Sequence, residues 1–334
     1  MLISVVVPAY QAAAVLPQCL SALQQQTIDR AQVEIIVVDD GSTDGTADVA
    51  EQALRNFPAA QVIRAAHGGP ASARNLGAWA AQGDLLLFTD ADCEPVPDWL
   101  EQFVRVFSEA SISGAKGRYA TRQHSLVARF VQQEYEERYD HTRRQATIDF
   151  IDTHSAGYRR EIFAEHHGFD AVAFPTAAVE DQEFSFRLVQ HGHRLVFVPE
   201  ALVYHQHLTS VTRYFRRKYL IGHWKIHLLQ RYPGKAVRDS HTPQIVKAQI
   251  VLLAAALIGL PGVSWPPFGP PLAIGLWIAF GLSMLPLLIK IARRDRPVLL
   301  IAPIMIFVRT LALGLGLLGG VLRFYVFRFD LPPA

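Results

Sequence analysis

Leu85-Leu86-Leu87-Phe88-Thr89-Asp90-Ala91-Asp92 is an apolar run that ends in two carboxylates one residue apart. Four large apolar residues between Gly83 and a polar turn read as a strand buried on both faces, as in a parallel sheet. In an open α/β sheet, ligands bind outside the carboxyl ends of the strands. Asp90 and Asp92 then stand at the mouth of a site, and the alternation of an extended backbone points both side chains the same way. Hard divalent cations take carboxylate oxygens and bring phosphates as further ligands, so the pair reads as a metal–diphosphate site. The competing reading is a surface turn, where Asp is common for local hydrogen bonding.

Upstream, Ile3–Val7 is a short β-branched strand ended by Pro8-Ala9-Tyr10, and Val33–Val38 is a second strand ended by Asp39-Asp40-Gly41-Ser42. Val62–Ala66 is a third. Between them, Val15, Leu16, Cys19, Leu20 and Leu23 recur at helical spacing, a helix follows Asp44 to about Phe57, and a third helix carries Arg74 and Asn75. Strands alternating with helices argue for a mostly parallel α/β sheet with helices on both faces. Three strand ends then deliver polar groups to one pocket of nucleotide type. Asp39 can accept from a base N–H, Tyr10 can flank the ring, and Arg74 at a helix start can grip a phosphate as a fork. Neither GxGxxG nor GxxxxGK[ST] occurs, which argues against a dinucleotide fold or a P-loop kinase.

After Pro97 the pattern predicts a helix to Ala110, a strand over Ile112–Ala120 that need not be parallel, and a long polar helix over Ser125–Arg144. Ile148 to Tyr158 reads as extended, Glu180–His191 as a helix closed by Gly192, and Arg194–Val198 with Ala201–Tyr204 as a last edge of sheet. Glu180-Asp181 can serve chemistry or simply complement the helix dipole. His166, His167, His191 and His193 read as surface residues, and Cys93 as a packing residue.

Half of the 334 residues are hydrophobic, and the excess lies late in the chain. From residue 240 on, eight Lys and Arg stand against Asp295 and Asp330, so this part is basic as well as apolar, the composition of a membrane-facing segment. Thr212–Arg231 is basic and aromatic: a helix at the lipid head-group level, a solvated basic helix, or, least favoured, a nucleic-acid contact; no nucleic-acid partner is expected. Three apolar stretches follow, near 248–265, 271–289 and 298–322. A span needs about 20 such residues. Lys290-Ile291-Ala292-Arg293-Arg294-Asp295-Arg296 is basic and belongs on the cytoplasmic side, with a turn around Trp265–Pro271 on the other. Arg309 interrupts the third stretch, which either spans or doubles back as a re-entrant hairpin with Arg323 and Arg328 cytoplasmic. Cys19 and Cys93 form no disulfide framework or metal spacing. No signal peptide precedes Pro8, so residues 1–208 are expected in the cytoplasm, followed by a linker with the interfacial helix (209–240) and a multi-pass membrane part (241–334).

Val5-Val6-Val7-Pro8-Ala9-Tyr10, Ile36-Val37-Val38-Asp39-Asp40-Gly41-Ser42-Thr43-Asp44, Gly69-Pro70-Ala71-Ser72-Ala73-Arg74-Asn75-Leu76-Gly77 and Phe88-Thr89-Asp90-Ala91-Asp92 together resemble the family-2 glycosyltransferases. The resemblance continues through Gly157-Tyr158-Arg159-Arg160-Glu161, Gly168-Phe169-Asp170 and Glu180-Asp181, in order, to about residue 208. It implies the glycosyltransferase-A fold, a nucleoside-diphosphate-sugar donor and inversion at the anomeric carbon. It makes Asp39 the base-contacting aspartate, with Pro8, Ala9, Tyr10, Asp40, Arg74 and Asp90 on the donor side. Asp90, Asp92 and His205 become the site of Mg²⁺ or Mn²⁺, with Asp92 the direct ligand, and Asp181 becomes the general base. Glu180, His154, Arg159 and Arg160 fall on the acceptor side. Gln11 stands where the family has Asn, and His154-Ser155 where Gly-Asn often stands. The Gln-x-x-Arg-Trp signature of processive synthases is missing from the region of Lys218–Trp224.

These features lead to the expectation of a membrane-anchored inverting glycosyltransferase at the cytoplasmic face, acting on a lipid-linked or saccharide acceptor in envelope polysaccharide or glycolipid synthesis. The alternatives are a polyprenyl-phosphate glycosyl synthase, with Arg159, Arg160 or Arg213–Arg217 near the lipid phosphate, and a non-catalytic sugar-nucleotide-binding subunit.

Overall fold

The computed structural model describes residues 1–175, 178–237, 239–240, 242–260 and 269–327. Most of the turn expected around Trp265–Pro271 and all of Arg328 lie outside the described residues. Two units are distinguished: residues 1–122 with 142–206, and residues 123–141 with the chain from His207 onward.

The first unit has strands β1 (Ile3–Ala9), β2 (Val33–Asp40), β3 (Ala60–Ala65), β4 (Leu85–Phe88), β5 (Cys93–Pro95), β6 (Ile112–Ala120), β7 (Ala156–Arg159) and β8 (Arg194–His205). They form one sheet in the order β3-β2-β1-β4-β7-β6-β8-β5. The first four of that order are parallel, as the strand–helix alternation predicts. Beyond β4 the sheet is mixed: β7 is antiparallel to β4 and β6, while β8 is parallel to β6 and antiparallel to β5. Ala9 lies beside Asp39 in the β1–β2 register. Helices α1 (Leu16–Gln24), α2 (Thr46–Leu54), α3 (Pro70–Ala80) and α4 (Trp99–Phe107) follow the expected pattern. Ile148–Tyr158 is extended only at its ends: Ile148 bridges to Leu195, Thr153–Ser155 is a 3₁₀ turn, and pairing resumes at Ala156.

Two features of this unit place chemistry. Gly77 of α3 sits so close to the sheet that a Cβ there would meet the Val6 and Val38 side chains, which seats the helix on β1 and β2 and brings Arg74, one turn earlier, to the strand ends. Phe184 of a later helix packs edge-on against Tyr158 at 5.2 Å and Phe163 at 5.0 Å, within a cluster that includes Phe88 and Phe169. Each ring pair adds about 1 kcal/mol beyond its burial, so the turn holding Asp181 rests on a rigid floor.

The second unit contains α5 (Leu126–Thr142) up to His141. After α6 (Arg160–Glu165) and α7 (Glu180–Gln190) of the first unit come α8 (Val211–Arg231), α9 (Gln244–Gly259), α10 (Gly269–Arg294) and α11 (Ala302–Val321), the last continuing as a π-helical turn to Val326. Helices α10 and α11, with its continuation, are long and apolar enough to cross a membrane; α9 is a shorter apolar helix. Within the third apolar stretch the chain is unbroken helix from Ala302 to Val326, through Arg309, with no hairpin turn, and Val298–Leu300 belong to a preceding 3₁₀ segment. The polar faces of α5 are used internally. Glu134 is buried and accepts from Arg309 Nη1 at 3.1 Å, Lys218 Nζ at 3.0 Å and Tyr214 Oη at 3.0 Å, and Arg309 Nη2 donates to Gln249 Oε1 at 2.7 Å. One carboxylate thus joins α5, α8 and α11, with α9 attached through Arg309. Around it, Phe130, Tyr214, Leu253, Phe280, Leu287 and Met305 form the apolar core.

Deleting one partner of a buried ion cluster strands the others and costs about 3–5 kcal/mol. Glu134→Ala should therefore lower the thermal midpoint of the full-length protein in detergent, far more than Glu136→Ala on the same helix.

Candidate active site

Thr89 carries the chain past β4: its N–H donates to Val6 O at 3.3 Å and its hydroxyl to His154 O at 2.9 Å. Asp90 follows, with Oδ1 accepting from Arg74 Nη2 at 2.9 Å and Oδ2 at 3.7 Å from His154 Nε2. Burial alone would lift this carboxyl, but Arg74, with His154 and His205, more than offsets it and holds Asp90 well below the usual range. Asp90 is thus an ion-paired carboxylate, and the guanidinium fork expected for a phosphate is spent on protein. Its other arm, Nη1, donates to Glu180 Oε1 at 3.2 Å.

Asp92 differs. Burial, and then the charge of Asp90, push its carboxyl up to about 6. The antiparallel pairing of β5 with β8 sets Cys93 opposite His205, and His205 Nε2 lies 3.5 Å from Asp92 Oδ2. One donor atom each from Asp92, Cys93 and His205 falls within 4.8 Å of the others. Cys93 is fully buried and its thiol is raised by that burial and by Asp92 and Asp90, so it is a poor partner for a hard cation. A carboxylate carrying an uncompensated charge beside an imidazole suits Mn²⁺ or Mg²⁺, with room in the ligand set for phosphate oxygens.

Asp39 is buried beside Ala9, with Oδ1 accepting from Ser42 N at 3.1 Å. Asp40 is occupied: Oδ1 accepts from Gly68 N at 2.7 Å, and Oδ2 accepts from Gly69 N at 3.0 Å and faces His67 Nδ1 at 2.9 Å. It shapes the loop before α3, where Gly69 takes φ +86° and a Cβ would meet Pro175 O. Tyr10, 51% exposed, stacks on His67 with ring centroids 4.3 Å apart. Pro8 and Ala9 supply the backbone at the β1 end. Gln11 has φ +50° and donates its N–H to Ser42 Oγ, a conformation in which Asn is the better-tolerated residue.

Glu180 and Asp181 open α7. Glu180 Oε2 accepts from Ala178 N at 2.9 Å, and Asp181 Oδ1 from Gln182 N at 2.8 Å. Burial, then Glu180 and Asp152, raise the Asp181 carboxyl well above its ordinary value, while Arg74 opposes them. Ser185, one turn on, ties this end of α7 to Ile151, accepting from its N–H at 3.0 Å.

His154 belongs with the carboxylates of the strand end and not with Arg159 and Arg160. It stacks on Tyr119 at 5.0 Å and meets His205 edge-on at 4.5 Å. Arg159 and Arg160 are not brought to the site. The antiparallel register sets Arg159 beside Leu85, at the opposite end of β4 from Asp90. Arg159 donates to the Phe107, Glu109 and Ile112 carbonyls and Arg160 to Gly83 O.

Sequence reasoning passed over Asp152, Lys116 and His67. Lys116 Nζ meets Asp152 Oδ2 at 2.7 Å in a buried pair, and Asp152 Oδ1 has no hydrogen-bond partner among the described residues. The available signal was charge inside otherwise apolar or small-residue runs: Lys116 with Arg118 in Ile112–Ala120, and Asp149 with Asp152 in Ile148–Tyr158. Such a charge is buried with a partner or marks a site.

Residues 4–167 match the model of glycosyl transferase family 2. Over 227 residues the chain is 27% identical to the glycosyltransferase EpsH of Bacillus subtilis, covering 65% of this chain and 64% of EpsH. Over 111 residues it is 35% identical to the glycosyltransferase AglE of Haloferax volcanii, covering 33% of this chain and 36% of AglE. The chain thus spans less than two thirds of the length of these relatives. In three dimensions it is similar to the mannosyltransferase PcManGT of Pyrobaculum calidifontis, solved with GDP-Man and Mn²⁺, with a TM-score of 0.59, 22% identity and coverage of 95% of this chain and 86% of that one. The sheet has the glycosyltransferase-A arrangement, and residues 4–167, with their strand-end motifs, are a glycosyl transferase family 2 domain.

Proposed function

We propose that the protein is a membrane-anchored, inverting, metal-dependent glycosyltransferase that moves a sugar from a nucleoside diphosphate to a lipid-linked or membrane-proximal acceptor at the cytoplasmic face. The observation that carries this reading is the split guanidinium of Arg74, whose two arms reach Asp90 at the cation end and Glu180 beside the base. A donor subsite and a proton acceptor are thereby fastened to one another.

The roles follow from chemistry. Tyr10 and His67 form a stacked lip for the base, and Asp39 accepts from it. Asp92 and His205 would hold the cation, as Mn²⁺ accompanies GDP-Man in the structural neighbour; bound there, it would neutralise charge on the leaving diphosphate. Asp181 takes the proton of the acceptor hydroxyl as that oxygen attacks the anomeric carbon from the face opposite the diphosphate. A carboxylate with a raised pKa is better matched to this task near neutrality. Inversion follows from a single displacement with a single base. Anchoring is supported by α9, α10 and α11 and by the basic α8.

Asp181→Asn should abolish transfer, by at least about a hundredfold, the scale of lost general-base catalysis, while retaining donor binding. Asp92→Asn should lose the rise in thermal midpoint that Mn²⁺ with a nucleoside diphosphate gives the wild type. Equal turnover by either variant would exclude the mechanism.

Asp152→Asn keeps an acceptor oxygen for Lys116 but removes a charge that raises Asp181. The acid limb of kcat/KM at saturating Mn²⁺ should move to lower pH, because a base with a lower pKa stays deprotonated further into acid.

A further inference from the structure

We infer that α8 and α11 lie side by side in the head-group plane of the cytoplasmic leaflet, so that only the α9–α10 hairpin enters the bilayer and the chain beyond α11 stays on the catalytic side. This rests on the membrane attachment proposed above and revises the expected three spans.

The two helices are interlocked backbone to backbone. A Cβ on Gly222 would lie 2.6 Å from Leu313 O, one on Gly316 would strike Tyr219 O, and one on Gly320 would lie 2.5 Å from His223 O. His227 stacks on Phe324 at 4.9 Å, Gln230 Nε2 donates to Phe324 O at 3.4 Å, and Arg323 sits over the Trp224 ring at 5.4 Å. The partners advance together, turn by turn: Tyr219 with Gly316, His223 with Gly320, His227 with Phe324. The helices therefore run parallel over this length, and at its near end Lys218 and Arg309 share Glu134. Small residues permit this approach.

Where α11 goes, α8 goes too. Helix α8 carries Arg213 and Arg216, both exposed, with Arg217, Lys225 and Arg231, and no carboxylate, while its Lys218 is met by Glu134. Drawing that many cations across hydrocarbon is prohibitive next to leaving them among lipid phosphates. Helix α11 supplies the complementary face: Leu315, Leu318, Leu322 and Val326 are exposed at spacings of three and four. A basic helix welded to one with an apolar outer stripe makes a two-helix amphipathic raft, cations to the head groups and leucines to the acyl chains. Ile258, Leu272, Ile274 and Ile278, exposed on α9 and α10, carry no such basic companion and suit the hydrocarbon. Arg323 and the basic loop before α11 then face the same side, as charge bias favours.

The test fuses alkaline phosphatase or green fluorescent protein to the C-terminus of the full-length chain in a bacterial host. The phosphatase needs an oxidising compartment to fold. The expected result is fluorescence, an inactive phosphatase, and retention in carbonate-washed membranes. Active phosphatase with a dark fluorescent fusion would show α11 crossing and overturn the inference while leaving the membrane reading intact. Release by carbonate would overturn both. Gly316→Leu with Gly320→Leu should wedge the helices apart and let phosphatase activity appear; an unchanged pattern would refute the role of the interlock.

Discussion

A buried guanidinium shared between Asp90 and Glu180 is the constraint on which the catalytic unit depends. Arg74 can occupy that position only because Gly77 seats α3 directly on β1 and β2. Its charge answers both carboxylates, and it holds the Asp90 carboxyl down against the desolvation that would otherwise raise it. The consequence is a division between carboxylates one or two positions apart in sequence. Asp90 is ion-paired by protein, while burial and the charge of Asp90 push the Asp92 carboxyl up to about 6. Asp181 stands in the same relation to Glu180, whose charge Arg74 meets while that of Asp181 stays exposed to like-charged neighbours. Each pair therefore contains one carboxylate held by Arg74 and one whose carboxyl is raised.

The second unit applies the same logic with the signs reversed. Arg309, costly in an apolar helix, is met by Glu134 and Gln249. The apolar stretch that contains it can then remain a regular helix. Buried ions of this kind contribute less to stability than to fixing which helices meet: Glu134 selects Lys218 and Arg309 together, and the register of α8 along α11 follows from that choice.

The parallel half of the sheet was legible because β1, β2 and β4 are buried on both faces and written as unbroken apolar runs. The site residues at their ends were legible for the same reason, since the first polar group after such a run has one place to go. The mixed half was less so. β5 is three residues long, and β8 runs through both segments that read as separate strands. The sequence shows α5 as a long polar helix but not what meets its carboxylates, because Lys218, Arg309, Lys290 and Arg294 lie more than seventy residues away. Arg159 and Arg160 were drawn to the site by proximity to the motif, and a strand direction that sequence does not specify sent them to the other end.

His154-Ser155 bears on the same point. As an exchange for Gly-Asn it suggested altered acceptor chemistry. Ser155 is fully buried, accepting from Trp99 Nε1 at 2.8 Å and donating to Ala201 O at 3.1 Å, so its role is to join α4 and β8 beneath the site. His154 faces Asp90 and His205. An imidazole there brings a ring nitrogen to the Asp90 carboxylate, a contact a glycine could not make. The exchange is therefore set among the strand-end carboxylates and is not beside Arg159 and Arg160.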